Sequence, residues 1–255
     1  MMIPRFPNIT RIAVFGVVCL ASILGMPARA DVVLDTTRVI YPAQEREVTV
    51  QLTNDEKKDP RLVQAWIDDG HVDKTPDQMH VPFQLMPPVF RLDAGKGQAL
   101  RITYTHDTDS PLSKDKESLF WLNVLSIPPK PANAEGKNLL QFAIRTRIKF
   151  FFRPEGLPGQ LEKVPAQLTW KLVSNGNEQA LEVTNPSAYH VSFASIALVV
   201  DGKEVKSEAP PMLDPGSTAR YVLKGLTSAP PAGSEVRFST VDDYGSANDY
   251  TAKLQ

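Results

Sequence analysis

Between residues 47 and 53 the chain alternates strictly, with Val48, Val50 and Leu52 on one side and Glu47, Thr49, Gln51 and Thr53 on the other. A period of two marks a half-buried strand, and Asn54-Asp55 supplies the turn that ends it. Further apolar or alternating runs occupy 63–67, 90–92, 98–105 and 118–127, the last stopped by Pro128-Pro129, and the longest covers 139–152. Short strands separated by frequent turns predict a β-sandwich of about seven strands over residues 31–154. The segment Arg153-Pro154-Glu155-Gly156-Leu157-Pro158-Gly159 then holds two prolines and two glycines, a composition that predicts a linker at 155–160. The strand pattern restarts at 168–173 and continues through 180–184, 191–200, 219–223 and 236–241. Asn185-Pro186, Asp201-Gly202, Asp214-Pro215-Gly216 and Tyr244-Gly245 punctuate it. A second small sandwich is therefore expected over 161–255, which makes the chain all-β with no helix of ordinary length.

The first thirty residues read differently. Arg5 and Arg11 precede an apolar run at 12–26, and Ala28-Arg29-Ala30 follows it. Basic start, apolar middle and a small-x-small ending describe a secretory signal peptide, cleaved here after Ala30. The run is short for a membrane span of about 20 residues. Export removes Cys19, the single cysteine, and three arginines, so the balance moves from -1 to -4. The remaining chain has no thiol and no disulfide. Over the full chain, the 42% hydrophobic content excludes a disordered protein, and the net charge of -1 argues against a nucleic-acid partner. Twenty-two prolines suit many short strands better than long helices.

Catalytic signatures are missing. His71, His80, His106 and His190 are not spaced as metal ligands, and no nucleophile elbow, phosphate loop or dinucleotide fingerprint occurs. No enzyme activity, metal or cofactor is expected. The acid pairs Asp68-Asp69 and Asp242-Asp243 read as solvated turn residues. The unusual segment is 140–153. Leu140, Phe142, Ile144, Ile148, Phe150 and Phe152 share one face, while Arg145, Arg147, Lys149 and Arg153 share the other. At about 3.3 Å per residue it spans about 40 Å. The pattern fits a central strand whose apolar row fills the core, and equally an edge strand that offers the row to a partner's groove.

A wider set of stretches resembles the periplasmic pilus-assembly chaperones of the chaperone–usher pathway, the PapD-like family. They are Leu34-Asp35-Thr36-Thr37-Arg38-Val39-Ile40-Tyr41-Pro42, Val63-Gln64-Ala65-Trp66-Ile67, Pro87-Pro88 with Arg91-Leu92-Asp93, and Glu117-Ser118-Leu119-Phe120-Trp121-Leu122-Asn123. Ile127-Pro128-Pro129 and Thr146-Arg147-Ile148-Lys149-Phe150-Phe151-Phe152-Arg153-Pro154 continue them. In the second half, Asn185-Pro186 with Tyr189, Met212-Leu213 with Pro215, and Asp243-Tyr244-Gly245 also match.

The resemblance implies two immunoglobulin-like sandwiches in an L or boomerang with a cleft between them. It implies that Arg38 and Lys149 anchor the C-terminal carboxylate of a pilus subunit in that cleft. Leu140, Phe142 and Ile144 would form the donor strand that fills the subunit's groove until an outer-membrane usher exchanges it. Arg101, Glu117 and Arg153 would form a structural salt bridge near the inter-domain junction. The partners implied are pilus or fimbrial subunits and the usher, and the location is the periplasm. The nine residues between Pro129 and Leu139 resemble the short-loop branch that builds rod-like pili. Whether free copies self-associate through the donor strand stays open. A different class, a secreted immunoglobulin-like structural subunit or adhesin, is the alternative. It is disfavoured by the missing cysteine pair and by the short arm before Leu34.

Overall fold

The computed structural model describes residues 31–106, 111–131, 140–208, 210–231 and 233–255. The expected leader and most of the loop between Pro129 and Leu139 lie outside these. The first unit contains β1 (Val32–Leu34), β2 (Arg38–Pro42), β3 (Val48–Asn54), β4 (Arg61–Asp68), β5 (Phe83–Met86), β6 (Val89–Leu92), β7 (Gly97–Tyr104), β8 (Ser118–Ile127) and β9 (Ile144–Arg153). They form two facing sheets, ordered β1-β3-β7-β5 and β2-β9-β8-β4-β6. All pairings are antiparallel except β2 with β9. The second unit contains β10 (Thr169–Asn175), β11 (Glu178–Thr184), β12 (Phe193–Val200), β13 (Lys203–Lys206), β14 (Thr218–Leu223), β15 (Glu235–Val241) and β16 (Ala247–Lys253). Its sheets run β10-β11-β14 and β13-β12-β15-β16.

Each sandwich has its own core, and the two cores share no residue. The first is built on alternating inward residues such as Val50 and Leu52 of β3, Leu100 and Ile102 of β7, and Phe150 and Phe152 of β9. Phe83 contacts the rings of Tyr41, Phe120 and Phe150 at centroid distances of 4.8–5.8 Å, within the range where aromatic pairs add to simple burial. The Tyr41 hydroxyl is satisfied as well, accepting from the Tyr104 amide at 3.0 Å and donating to the carbonyls of Glu45 and Arg46. In the second core Trp170 packs on Phe238 at 4.7 Å, with Phe193, Tyr221 and Ile196 around them. No thiol staples this unit, so packing of this kind holds it.

Five strands escaped the pattern reading, β1, β2 and β5 in the first unit and β13 and β16 in the second, and each lies at the edge of its sheet. β13 is Lys-Glu-Val-Lys and β16 is Ala-Asn-Asp-Tyr-Thr-Ala-Lys, and both lie at the edges of one sheet. An edge strand with a mostly solvated surface needs few apolar residues, so periodicity is weak there. Between β9 and β10 the chain makes a 3₁₀ turn, Leu161–Lys163, followed by one helical turn, Val164–Gln167. Among the described residues no helix is long and apolar enough to cross a membrane.

Candidate functional site

The two readings of segment 140–153 each hold for one half of it. β9 pairs with β8 along its whole length, from Ile144 opposite Ser126 to Phe152 opposite Ser118. It pairs with β2 only from Lys149 to Arg153. Lys149–Arg153 is therefore an interior strand, and Phe150 and Phe152 are core. Residues 144–148 have one neighbour, and their other edge is unpaired among the described residues. Beyond them, Leu140 to Ala143 form no strand, in contrast to the strand expected from 139. The partner strand has run out: β8 ends at Ile127, and Pro128 and Pro129, which have no N–H, follow it. Gln141 donates instead to the Pro128 carbonyl at 2.6 Å. The apolar row thus runs out of the core into solvent, with Leu140 80%, Phe142 71% and Ile144 52% exposed.

The opposite face of this edge is pinned. Asp68, read as a solvated turn acid, is fully buried. It accepts from Arg147 at 2.6 and 3.0 Å, from Asn123 at 2.7 Å and from the Gly70 amide at 2.7 Å. Arg145 donates to the Asn123 side-chain oxygen at 2.7 and 2.9 Å. The guanidinium of Arg147 lies 4.0 Å above the Trp121 ring, and that of Arg145 lies 4.9 Å above Trp66, a favourable cation–π arrangement. Burial works against the Asp68 charge, yet the Arg147 and Asn123 hydrogen bonds outweigh it and hold its carboxyl below the usual range. Arg145 and Arg147 of the basic row thus tie the free half of β9 to side chains of β8 and β4 in its own sheet.

Where the free edge meets the second sandwich, Arg38 of β2 and Lys149 of β9 are register partners. Arg38 donates from one terminal nitrogen to the Val241 carbonyl at 3.0 Å, while its Nε is buried without a partner. Lys149 Nζ donates to Ser192 Oγ at 2.7 Å. Burial, then the neighbouring Arg38 charge, pull the Lys149 ammonium down to about 8. Burial lowers Arg38 also, opposed by Asp243 and Asp242. Two half-buried cations stand side by side, each with donors to spare, and no acid side chain among the described residues is bonded to either.

Beneath them lies an ion cluster whose membership differs from the expected one. Arg153 donates to Glu117 at 2.7 Å and to both oxygens of Asp243 at 2.7 and 2.9 Å. The other Glu117 oxygen accepts from the His190 amide at 2.8 Å and faces His190 Nδ1 at 3.2 Å. Burial opposes the Glu117 charge, but His190 and Arg153 outweigh it and lower its carboxyl. Burial likewise opposes Arg153, whose two acid partners raise it. Arg101 is not in this cluster. It sits on β7, in the facing sheet, and binds exposed Glu47 at 2.5–3.1 Å. Asp243 and His190 are the members that residue type alone could not assign, because they come from the other sandwich. Among the described residues no group of three or more acid, histidine or cysteine side chains is placed to hold a metal.

Comparison with known proteins matches residues 31–158 to the family described as pili and flagellar-assembly chaperone, PapD N-terminal domain, and residues 163–252 to the pili assembly chaperone PapD, C-terminal domain. The chain is 43% identical to the chaperone protein FimB/FhaD of Bordetella pertussis, over 95% of this chain and 96% of that one. Among solved structures it resembles the YadV chaperone, with a TM-score of 0.75 and 39% identity over 88% of this chain and 100% of that one. It also resembles the SafB chaperone in complex with the SafA pilin of Salmonella enterica, with a TM-score of 0.71 and 28% identity over 88% and 96%.

Proposed function

The chain belongs to the chaperone–usher family of pilus-assembly chaperones, a non-enzymatic family, and we propose that it captures pilus subunits by donating β9 to them and hands them to an outer-membrane usher. One observation carries this reading: β9 is half interior and half edge, and its exposed apolar row leads directly to two unneutralised cations. An incoming extended segment can pair with the free edge of residues 144–148 through main-chain hydrogen bonds, while its groove receives alternate side chains. Leu140, Phe142 and Ile144 are the row that fills it. Burying each contributes roughly 1.5–3 kcal/mol before ordering costs are subtracted. The segment's C-terminal carboxylate then meets Arg38 and Lys149, where charge-assisted hydrogen bonds are about twice as strong as neutral ones. The partner in the SafB structure is a pilin, which supports a subunit as the occupant here. The chemistry is capping: an aggregation-prone open edge is covered until exchange at the usher.

Glu117, Arg153, His190 and Asp243 act in this reading by fixing one sandwich against the other. Export with cleavage after Ala30 would place the protein in the periplasm, where subunits and usher meet. The subunit-or-adhesin alternative gives way to the family assignment. The decisive test is co-purification of subunits from the periplasm with Arg38→Ala and Lys149→Ala. Both variants are expected to stay folded and to lose subunits. Normal recovery of subunits with both would sink the anchor assignment.

A further inference from the structure

The anion site is built from two residue pairs that face each other across the domain junction. On the first sandwich, Arg38 and Lys149 are register partners of β2 and β9. On the second, the Val241 amide donates to the Ser192 carbonyl at 2.8 Å. Each member of one pair meets a member of the other: Lys149 with the Ser192 hydroxyl at 2.7 Å, Arg38 with the Val241 carbonyl at 3.0 Å. We propose that Ser192 is a positioning residue of the carboxylate site, holding the Lys149 ammonium in the cleft so that the site is complete only when both sandwiches are docked. The proposal rests on the reading of Arg38 and Lys149 as the anchor.

The choice of a hydroxyl is what makes this work. An ammonium has three donors and a flexible four-carbon stem. One hydrogen bond to a fixed acceptor orients it and leaves two donors for a carboxylate. Ser192 is fixed, being 5% exposed and bound through its own carbonyl to Val241. An acid in its place would neutralise Lys149 and occupy the site, as Asp243 does to Arg153. The acids around the cleft are engaged elsewhere. Glu117 is taken by Arg153 and His190, and Asp243 by Arg153. Asp242 accepts from the Tyr244 and Ser246 amides and the Asn248 side chain of its own hairpin. The Arg38 charge only repels Lys149. The Ser192 oxygen is therefore the group that favours the charged form of Lys149.

The test uses the full mature chain as Ser192→Ala and Ser192→Thr, with lysine side chains isotopically labelled and titrated by NMR. The Lys149 titration, near 8 in the parent, is expected to fall by about one pH unit in Ser192→Ala, since a hydrogen bond to a charged group has been removed. Ser192→Thr, which keeps the hydroxyl, returns it. Binding is read with a fluorescent synthetic peptide of alternating valine and threonine ending in a free carboxylate, beside its C-terminally amidated twin. Ser192→Ala is expected to bind the free-acid peptide about tenfold more weakly than the parent, and Ser192→Thr to recover it. Parent-like titration and binding in Ser192→Ala overturn the proposal, and so does a Ser192→Thr variant that behaves like Ser192→Ala. Equal binding of the acid and amide peptides by the parent overturns the anchor reading itself, and the proposal with it.

Discussion

Lys149 stands beside Arg38 with no acid among the described residues bonded to it, and burial has already brought its ammonium to about 8. A C-terminal carboxylate is charged throughout the neutral range, so the lysine sets the alkaline limit of capture. Subunit binding is expected to hold up to about pH 7.5 and to weaken above pH 8, approaching tenfold per pH unit. Lys149→Arg removes that slope, because a guanidinium stays charged; a pH series of pull-downs reads both. The same residue has a stability signature. Its folded value lies below its unfolded value of 10.5, so the folded state binds fewer protons between the two. Its penalty on folding is full below about pH 8 and fades as the pH rises towards 10.5. Lys149→Met is therefore expected to stabilise the free protein at pH 7 by roughly 1 kcal/mol or more, measured by urea unfolding, while abolishing capture. Arg101 and Glu47 show the opposite case, an exposed ion pair whose loss barely matters.

At the scale of the element, β9 does two jobs in sequence. Its last five residues are clamped between β2 and β8 and carry Phe150 and Phe152 into the core; its first five present a bare edge. Substitutions should divide at that border. Phe142→Glu is expected to weaken subunit binding at least tenfold and to change stability by no more than about 0.5 kcal/mol, the range of ordinary surface positions. Phe150→Ala, in the same row eight residues on, is expected to destabilise the first sandwich by about 3–5 kcal/mol through cavity formation. Thermal melts beside pull-downs of the two variants check the division. A Phe142→Glu protein that melts as Phe150→Ala does would show the row to be core throughout. The contacts of Arg147 with Asp68 and Trp121 tie the strand's free half to its own sheet.

For the whole molecule, function depends on the angle between two sandwiches that share no core. Arg153 bridges Glu117 to Asp243, and the hairpin carrying Asp243 comes close to Thr37, just before β2. Gly245 makes that approach feasible. Its φ is +86°, and a Cβ there would sit 2.4 Å from the Thr37 hydroxyl oxygen. Gly245→Ala is expected to push the domains apart, visible as a change in small-angle scattering, and to reduce capture at least tenfold while the first sandwich keeps its own melting transition. Much of this architecture was legible in the chain. Alternation is a local property, so periodicity and proline breaks located most of the strands, both sandwiches and the apolar row at 140–152. The resemblance pointed to Arg38 and Lys149, which the fold does bring side by side. Edge strands β1, β2, β5, β13 and β16 were not legible, because a short or largely solvated edge gives only a weak period. Nor were most of the ion-pair partners, although the resemblance did pair Glu117 with Arg153. Asp68 is buried under two arginines, Arg101 turns to Glu47, and Arg153 finds Asp243 90 residues away. Those pairings depend on which distant segments share a sheet face or a domain junction. The sequence by itself determined which residues alternate and where strands must stop; only tertiary packing decided which half of β9 is covered and which charges go unneutralised, because both depend on neighbours supplied from elsewhere in the chain.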